Sequence, residues 1–295
     1  MKEILIISGK GGCGKTSLCA GFAKLAKSAV LVDCDVDASD LHLLLKPEII
    51  KKEVFIAGEL PSLDEEKCIR CGKCKEYCRL NAITFAEHEL PVFHENACEG
   101  CKVCTIVCPT KAITMVPRTC GEWMKSQTCA GMMFHARLLP GGENSGKLIA
   151  EIRKAAREEA KREKQDLLLS DGPPGIGCPV ISSITGVDMA VIITEPTLSG
   201  LHDLKRTIQM AREFEVEIRV IINKYDLNSE MADKIQKACE KNGIQVIGKM
   251  PFDPIFNSSL REGKTIIDFP DSEPAKILAS IWKQIDPSKE KGKRK

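Results

Sequence analysis

Eight of the fifteen cysteines in this 295-residue chain fall into two runs of the same spacing. Cys68, Cys71, Cys74 and Cys78 form one C-x2-C-x2-C-x3-C run, and Cys98, Cys101, Cys104 and Cys108 form the other. Thiolates this close together are ligands for a soft metal, and two chemistries compete. Zinc gathers four thiolates around a single ion. A 4Fe-4S cluster is a cube, with three closely spaced thiolates wrapping three corners and a more distant fourth closing it. The repeated triple spacing favours two 4Fe-4S clusters over zinc.

Phosphate chemistry is written nearer the start. Gly9-Lys10-Gly11-Gly12-Cys13-Gly14-Lys15-Thr16 fits G-x-x-x-x-G-K-T, and Ser17 follows. Glycines let successive backbone N–H groups turn toward phosphate oxygens, and a helix N-terminus adds partial positive charge. Lys15 is then placed for the β- and γ-phosphates of ATP, and the Thr16 hydroxyl for Mg²⁺. Cys13 fills a variable position of the loop and has no role beyond lining it.

These groups need rigid supports. Residues 3–8 read as a strand, 16–28 as a helix and 29–33 as the next strand, so the glycine loop joins a strand to a helix. A further short strand is expected over 53–57. The rhythm stops near residue 60, where cysteine-rich turns punctuated by Pro61, Pro91, Pro109 and Pro117 take over. It resumes with a charged helix over 147–165 and a strand over 166–170. Strands over 189–194, 217–222 and 245–249 follow, with helices over 199–213, 229–242 and 274–285. The alternation predicts an α/β domain, a mostly parallel sheet with helices on both faces, interrupted by a small α+β insert. The expected division is 1–59 and 119–286 for the α/β domain, 60–118 for the insert, and a solvated basic tail over 287–295.

Composition narrows the class. A net charge of +2 gives no footprint for nucleic acid. No apolar run approaches the roughly 18–20 residues that span a bilayer, so no stable membrane insertion is expected. The apolar stretch Ile4 to Ile7 is too short for a secretion signal. A cytoplasmic location follows as the expectation, and in a reducing compartment clustered cysteines bind metal rather than form disulfides. His42, His88, His94, His135 and His202 lack metal-ligand spacing.

The K-G-G-x-G-K-T form of the loop resembles the deviant Walker A ATPases: the septum-site ATPase MinD, the partition ATPases, the Mrp iron–sulfur carriers and the nitrogenase iron protein. The resemblance implies that Lys10 crosses a dimer interface to the partner's nucleotide, and hence an ATP-dependent homodimer. It implies that Asp35, in Asp33-Cys34-Asp35, positions the attacking water with Asp33 in support. Asp171, opening Asp171-Gly172-Pro173-Pro174-Gly175, would hold the Mg²⁺ shell, and Gly175 would turn its N–H onto the γ-phosphate. Asn223-Lys224 matches the adenine-side asparagine, and Pro251 belongs to the loop that flanks the base. The cysteine runs resemble two-cluster ferredoxins, which implies crossed ligation. Cys68, Cys71 and Cys74 would share one cluster with Cys108; Cys98, Cys101 and Cys104 would share the other with Cys78. The first run carries Arg79 where the second has Pro109. As a whole the chain resembles MinD-superfamily P-loop ATPases with an inserted ferredoxin domain.

Cys178 follows Asp171 by seven residues, and Cys129 precedes an Ala-Gly pair. Both positions resemble the ligands of the nitrogenase iron protein, whose cluster is shared between subunits. Three readings stand for this pair: a third cluster bridging a dimer, transient redox or cluster handling, or plain packing. The leading functional expectation is ATP-gated electron transfer to an unidentified redox partner. An iron–sulfur carrier like Mrp, delivering to an acceptor protein, is the first alternative, ahead of a spatial-organising ATPase like MinD. An amide ligase comes last, since nothing resembles the glutaminase domain attached to that fold in cobyrinate diamide synthases.

Overall fold

The computed structural model describes residues 1–85, 89–142 and 144–286. His88 and the basic tail over 287–295 lie outside the described residues.

β1 (Lys2–Ser8) is buried on both faces from Ile4 to Ile7, as a strand inside a parallel sheet must be. Next come α1 (Lys15–Ala26), β2 (Val30–Asp33), α2 (Leu41–Leu45) and β3 (Glu48–Leu63). Short elements follow: α3 (Lys73–Glu76), β4 (Ile83–Thr84), β5 (Val92–Phe93) and α4 (Val103–Val107). β6 (Ile113–Thr128) and β7 (Gly131–Leu138) precede α5 (Ser145–Arg162) and β8 (Leu167–Pro174). The chain then alternates through α6 (Cys178–Ile184), β9 (Met189–Thr194), α7 (Leu198–Arg212), β10 (Glu217–Asn223) and α8 (Ser229–Lys241). It ends in β11 (Gln245–Met250), α9 (Ile255–Glu262) and α10 (Glu273–Ile285).

Nine strands form one sheet in the order β11-β10-β9-β1-β8-β2-β7-β6-β3. The pairs from β11 through β7 run parallel. This is the mostly parallel α/β architecture expected. By its contacts the chain divides into two units, one of Met1–Glu53, Trp123–Arg137 and the residues from Ser145 onward, the other of Val54–Glu122 and Leu138–Asn144. β3 and β6 contribute residues to both.

In the first unit, alternation along β1 feeds two cores. Ile4 and Ile6 pack with Leu18 and Phe22 of α1 and Leu278 and Trp282 of α10. Leu5 and Ile7 pack on the other face with α6, α7 and α8 through Val180, Leu204 and Ile235. Each of these fully buried aliphatic side chains is worth about 1.5–3 kcal/mol. On the second face, Arg153 of α5 is buried against Glu3. Its Nη2 donates to Glu3 Oε1 at 2.6 Å and its Nη1 to the carbonyls of Ser182 and Thr185 at 2.5 and 3.0 Å. Arg157 Nε donates to the other oxygen of Glu3 at 2.8 Å. The network ties the carboxyl end of α6 to β1.

Several elements differ from expectation. α2 and α6 are too short to show helical periodicity, and no strand was legible between residues 119 and 146, where β6 and β7 form a hairpin. Its two-residue turn, Cys129-Ala130, lacks the Asn-Gly chemistry that marks hairpins in sequence. The required positive φ, 131°, falls on Gly131 after the turn. A Cβ there would lie 2.0 Å from the Ala29 carbonyl oxygen, so glycine is the residue that fits.

In the second unit, β4 and β5 pair antiparallel with Ile83 opposite Phe93. Its small core joins Cys74, Ile83 and Ile113, with Leu63, Phe93, Cys78, Cys104 and Cys108 packed against them. Among the described residues, no helix is long and apolar enough to cross a membrane.

Candidate functional site

The glycine loop leaves the carboxyl end of β1 and enters α1. Gly12 and Gly14 take φ of +79° and +83°, a region side chains avoid. A Cβ on Gly14 would sit 2.5 Å from Asn223 Nδ2, and that amide donates to the Cys13 carbonyl at 2.8 Å. A Cβ on Gly9 would collide with Asp203 of α7. At Gly11 and Gly12, by contrast, it would meet nothing within 4 Å. The loop is therefore held from the β10 and α7 sides and open where phosphate would lie.

Lys15, the first residue of α1, is buried, and its Nζ donates to Asp171 Oδ1 at 2.7 Å and to Thr16 Oγ1 at 3.4 Å. Burial opposes the ammonium charge, but the carboxylates of Asp171 and Asp33 outweigh it and hold the Lys15 pKa well above its ordinary value. Asp33, the last residue of β2, and Asp171, within β8, are direct partners. Burial first, then the neighbouring Asp171 charge, push Asp33 up to about 7. Asp33 also shapes the segment that follows it. Its Oδ2 accepts from Ser39 Oγ at 2.7 Å and from the Leu41 amide at 3.3 Å, and its Oδ1 from the Asp35 amide at 3.1 Å. Asp35 is half-buried, and burial raises its carboxyl pKa. Gly175, at φ +94°, donates its N–H to the Ser8 carbonyl at 2.9 Å.

Gly12, Gly14, Ser17, Asn223, Lys224 and Pro251 line one open cavity of about 170 Å³. Phe252, in the expected base-flanking loop with Pro251, and Phe256, which no motif singled out, add aromatic faces to it. The fit to a magnesium-bound nucleotide rests on three features: an open glycine cradle, a buried ammonium at its floor, and Thr16 Oγ1 and Asp171 beside that ammonium. Sequence reasoning also missed Glu195, which follows β9. Its Oε2 lies 3.4 Å from Lys10 Nζ and its Oε1 2.6 Å from Lys224 Nζ. The one available signal was position: Glu195 leaves a strand at the carboxyl edge of the sheet, where ligands of such sheets bind.

In the second unit, Cys68, Cys71, Cys74 and Cys108 line a single small cavity of about 20 Å³, closed by Leu63, Pro91 and Ile113. Cys98 and Cys101 lie close enough to Cys104 that their charges, after burial, raise its pKa to about 11. Cys78 packs in the same apolar cluster as Cys104. Backbone N–H groups already point at sulfur, Ala112 to Cys108 Sγ at 3.3 Å and Gly100 to Cys98 Sγ at 3.4 Å. The cysteine repeat is also a backbone repeat. Arg70, Gly72 and Asn81 have positive φ, and so do Gly100, Lys102 and Lys111, at the same offsets from Cys68 and Cys98. Four of the six are not glycine, at about 1–2 kcal/mol of strain each. Strain repeated at matching positions is spent on shape, and here the shape is a chain wound around its thiols. Among the described residues, no group of His, Cys, Asp or Glu converges tightly enough for one metal ion. Cys68, Cys71, Cys74 and Cys108 instead border one cavity, and an all-thiolate set of four, with an N–H donor already on Cys108 Sγ, fits an iron–sulfur cube.

Cys129 and Cys178 are both exposed, but the structure does not bring them together. Cys178 opens α6 beyond the carboxyl end of β8. Cys129 sits in the β6–β7 turn, beside Ala29 and Val30 at the amino ends of the same parallel strands.

The family model described as the CobQ/CobB/MinD/ParA nucleotide binding domain matches residues 4–266. The chain is 38% identical over 230 residues to an uncharacterized protein of Methanocaldococcus jannaschii, covering 77% of this chain and 79% of that one. It is 30% identical over 135 residues to the iron-sulfur cluster carrier protein of Aquifex aeolicus, covering 41% of this chain and 36% of that protein. Among solved structures, the septum site-determining protein MinD of Pyrococcus horikoshii, complexed with Mg-ADP, aligns with a TM-score of 0.58 at 18% identity. That alignment covers 98% of this chain and 97% of that one, a likeness of fold.

Proposed function

The chain belongs to the CobQ/CobB/MinD/ParA nucleotide-binding family and is a P-loop ATPase of MinD/ParA type, and from that premise we propose that it couples ATP to electron transfer through two 4Fe-4S clusters. The observation that carries this reading is the cavity lined by Cys68, Cys71, Cys74 and Cys108, in a chain whose other unit has a nucleotide cradle. Cys98, Cys101, Cys104 and Cys78 would hold the second cluster. Such clusters supply one-electron chemistry, at potentials set by charge, burial and hydrogen bonds to sulfur.

The chain's own residues then divide the work. Lys15 exchanges Asp171 for phosphate oxygens; Asp171 and Thr16 Oγ1 would then be free to hold Mg²⁺, which would neutralise phosphate charge. Asp35 orients the attacking water. Gly175 gives up the Ser8 carbonyl to donate its N–H toward the γ-phosphate. Asn223 and Pro251 frame the adenine, and Lys10 reaches the nucleotide of a second copy, making ATP the glue of a homodimer. A redox titration followed by EPR, with and without a non-hydrolysable Mg-ATP analogue, tests the coupling. A midpoint that shifts with the analogue supports it. Midpoints, partner reduction and partner affinity that all ignore the analogue would sink it.

A second reading, an iron–sulfur carrier, draws on the name of the Aquifex relative and on the exposed thiol of Cys178. Rapid transfer of iron and sulfide to an apo-ferredoxin, without redox turnover, would favour it over electron transfer.

A further inference from the structure

Lys10 is not free in this chain. Its ammonium lies 3.4 Å from Glu195 Oε2, while the other oxygen of that carboxylate holds Lys224 at 2.6 Å. Two cations from two different loops, one after β1 and one after β10, thus meet on one carboxylate after β9.

The platform under this carboxylate is rigid. Glu195 directly follows β9, and Pro196 restricts the backbone beyond it. Thr197 caps α7 by accepting from the Gly200 amide at 2.9 Å. α7 in turn presses Asp203 against Gly9. The two ion pairs on this platform are unequal. Lys224 is the shorter and less exposed partner, and its Nζ also reaches the Gly12 carbonyl at 3.5 Å. Lys10 is longer and about 38% exposed. A mostly buried carboxylate stripped of every cation is costly, whereas an exposed pair is weak. With Lys224 left in place, Lys10 can depart without stranding the charge.

We propose that Glu195 is a positioning residue that parks Lys10 within its own chain until a second copy offers a nucleotide phosphate, with Lys224 remaining as the counterion. This rests on the reading above that ATP joins two copies. Glu195 opposes premature pairing of copies and also keeps the free lysine from the phosphates of its own nucleotide. Release of two parked lysines, one per copy, sets the protein concentration at which the ATP-bound chain pairs.

The test is sedimentation of the cluster-loaded full chain with a non-hydrolysable Mg-ATP analogue across a range of protein concentrations. Glu195→Gln frees Lys10, and the dissociation constant for self-association falls by about 2- to 30-fold, the range for two exposed pairs. Glu195→Asp keeps the charge and restores the wild-type midpoint to within about threefold. Analogue binding to dilute protein and thermal melts accompany each variant, because a merely structural glutamate would lose affinity or stability in both. If wild type pairs and Glu195→Gln pairs equally or more weakly, the parking role is overturned while the dimer stands. If neither pairs at any concentration, the ATP dimer itself falls, and parking falls with it.

Discussion

Asp33 and Asp171 face each other as direct partners across β2 and β8, and it is Asp171 that takes the Lys15 ammonium, at 2.7 Å. Burial raises the Asp33 pKa first, and the repulsion between two carboxylates side by side adds to it. Replacing Asp171 with Asn removes one charge of the pair while Asp33 stays to serve Lys15. Asp171→Asn should therefore melt within a few degrees of wild type. Its ATP turnover should fall about 100-fold or more, as when a preorganised charge is lost from a phosphoryl-transfer site. Phosphate release at saturating Mg-ATP checks this, and near-normal turnover would remove Asp171 from the Mg²⁺ shell.

Gly11 and Gly14 separate stability from binding. A Cβ at Gly11 meets no protein atom within 4 Å, whereas one at Gly14 meets Asn223 and must adopt φ +83°. Gly11→Ala should fold normally and bind ATP at least about tenfold more weakly, because the added methyl enters phosphate space. Gly14→Ala should lose both, with unfolding free energy down by about 1–3 kcal/mol. Equal melting temperatures for the two variants would contradict this account.

His135 should make the fold acid-sensitive. Burial, then the charge of His42 stacked 6.4 Å away, lower its pKa to about 4. The unfolded chain accepts a proton near pH 6.5 that the folded chain refuses until about pH 4. Stability from this group is thus complete above about pH 6.5 and is lost as pH falls toward 4, on the order of 2–3 kcal/mol in all. His135→Phe, which also removes the hydrogen bond to Ser126, should flatten this part of the melting-temperature profile. An equally steep profile in the variant would assign the acid sensitivity elsewhere.

Cys108 and Cys120 share a strand neighbourhood but not a fate. Cys108 borders the thiol-lined cavity, while Cys120 is buried and donates to the Ala57 carbonyl at 3.0 Å. Cys108→Ala should lower iron from about eight to about four atoms per chain, and Cys120→Ala should leave it at about eight. Iron and sulfide assays on anaerobically purified protein decide it.

The sequence made visible whatever local chemistry dictates. The glycine loop, its flanking strand and helix, and the long amphipathic helices α5, α7, α8 and α10 stand near where periodicity placed them. The hairpin β6–β7 was hidden because its turn uses Cys129-Ala130 and puts its special φ on Gly131, whose necessity comes from Ala29, far away in the chain. Glu195 was hidden for the same reason. A lone glutamate has no spacing, and its meaning lies in two lysines brought to it by three strands. Arg70 and Lys102 carry positive φ without being glycine, so the cysteine spacing around them was the sole clue to how the chain winds there.

The clamp formed by Arg153 has a mechanical consequence. It grips α6 by the carbonyls of Ser182 and Thr185, at one end, while the other end begins at exposed Cys178. Val180 and Ile184 are sunk in the core along the same helix, so a pull on residues 171–175 would be felt first at its amino tip, where Cys178 stands exposed. A spin label or fluorophore on that thiol would act as the needle of a gauge, reading out at the surface what the nucleotide does beneath it.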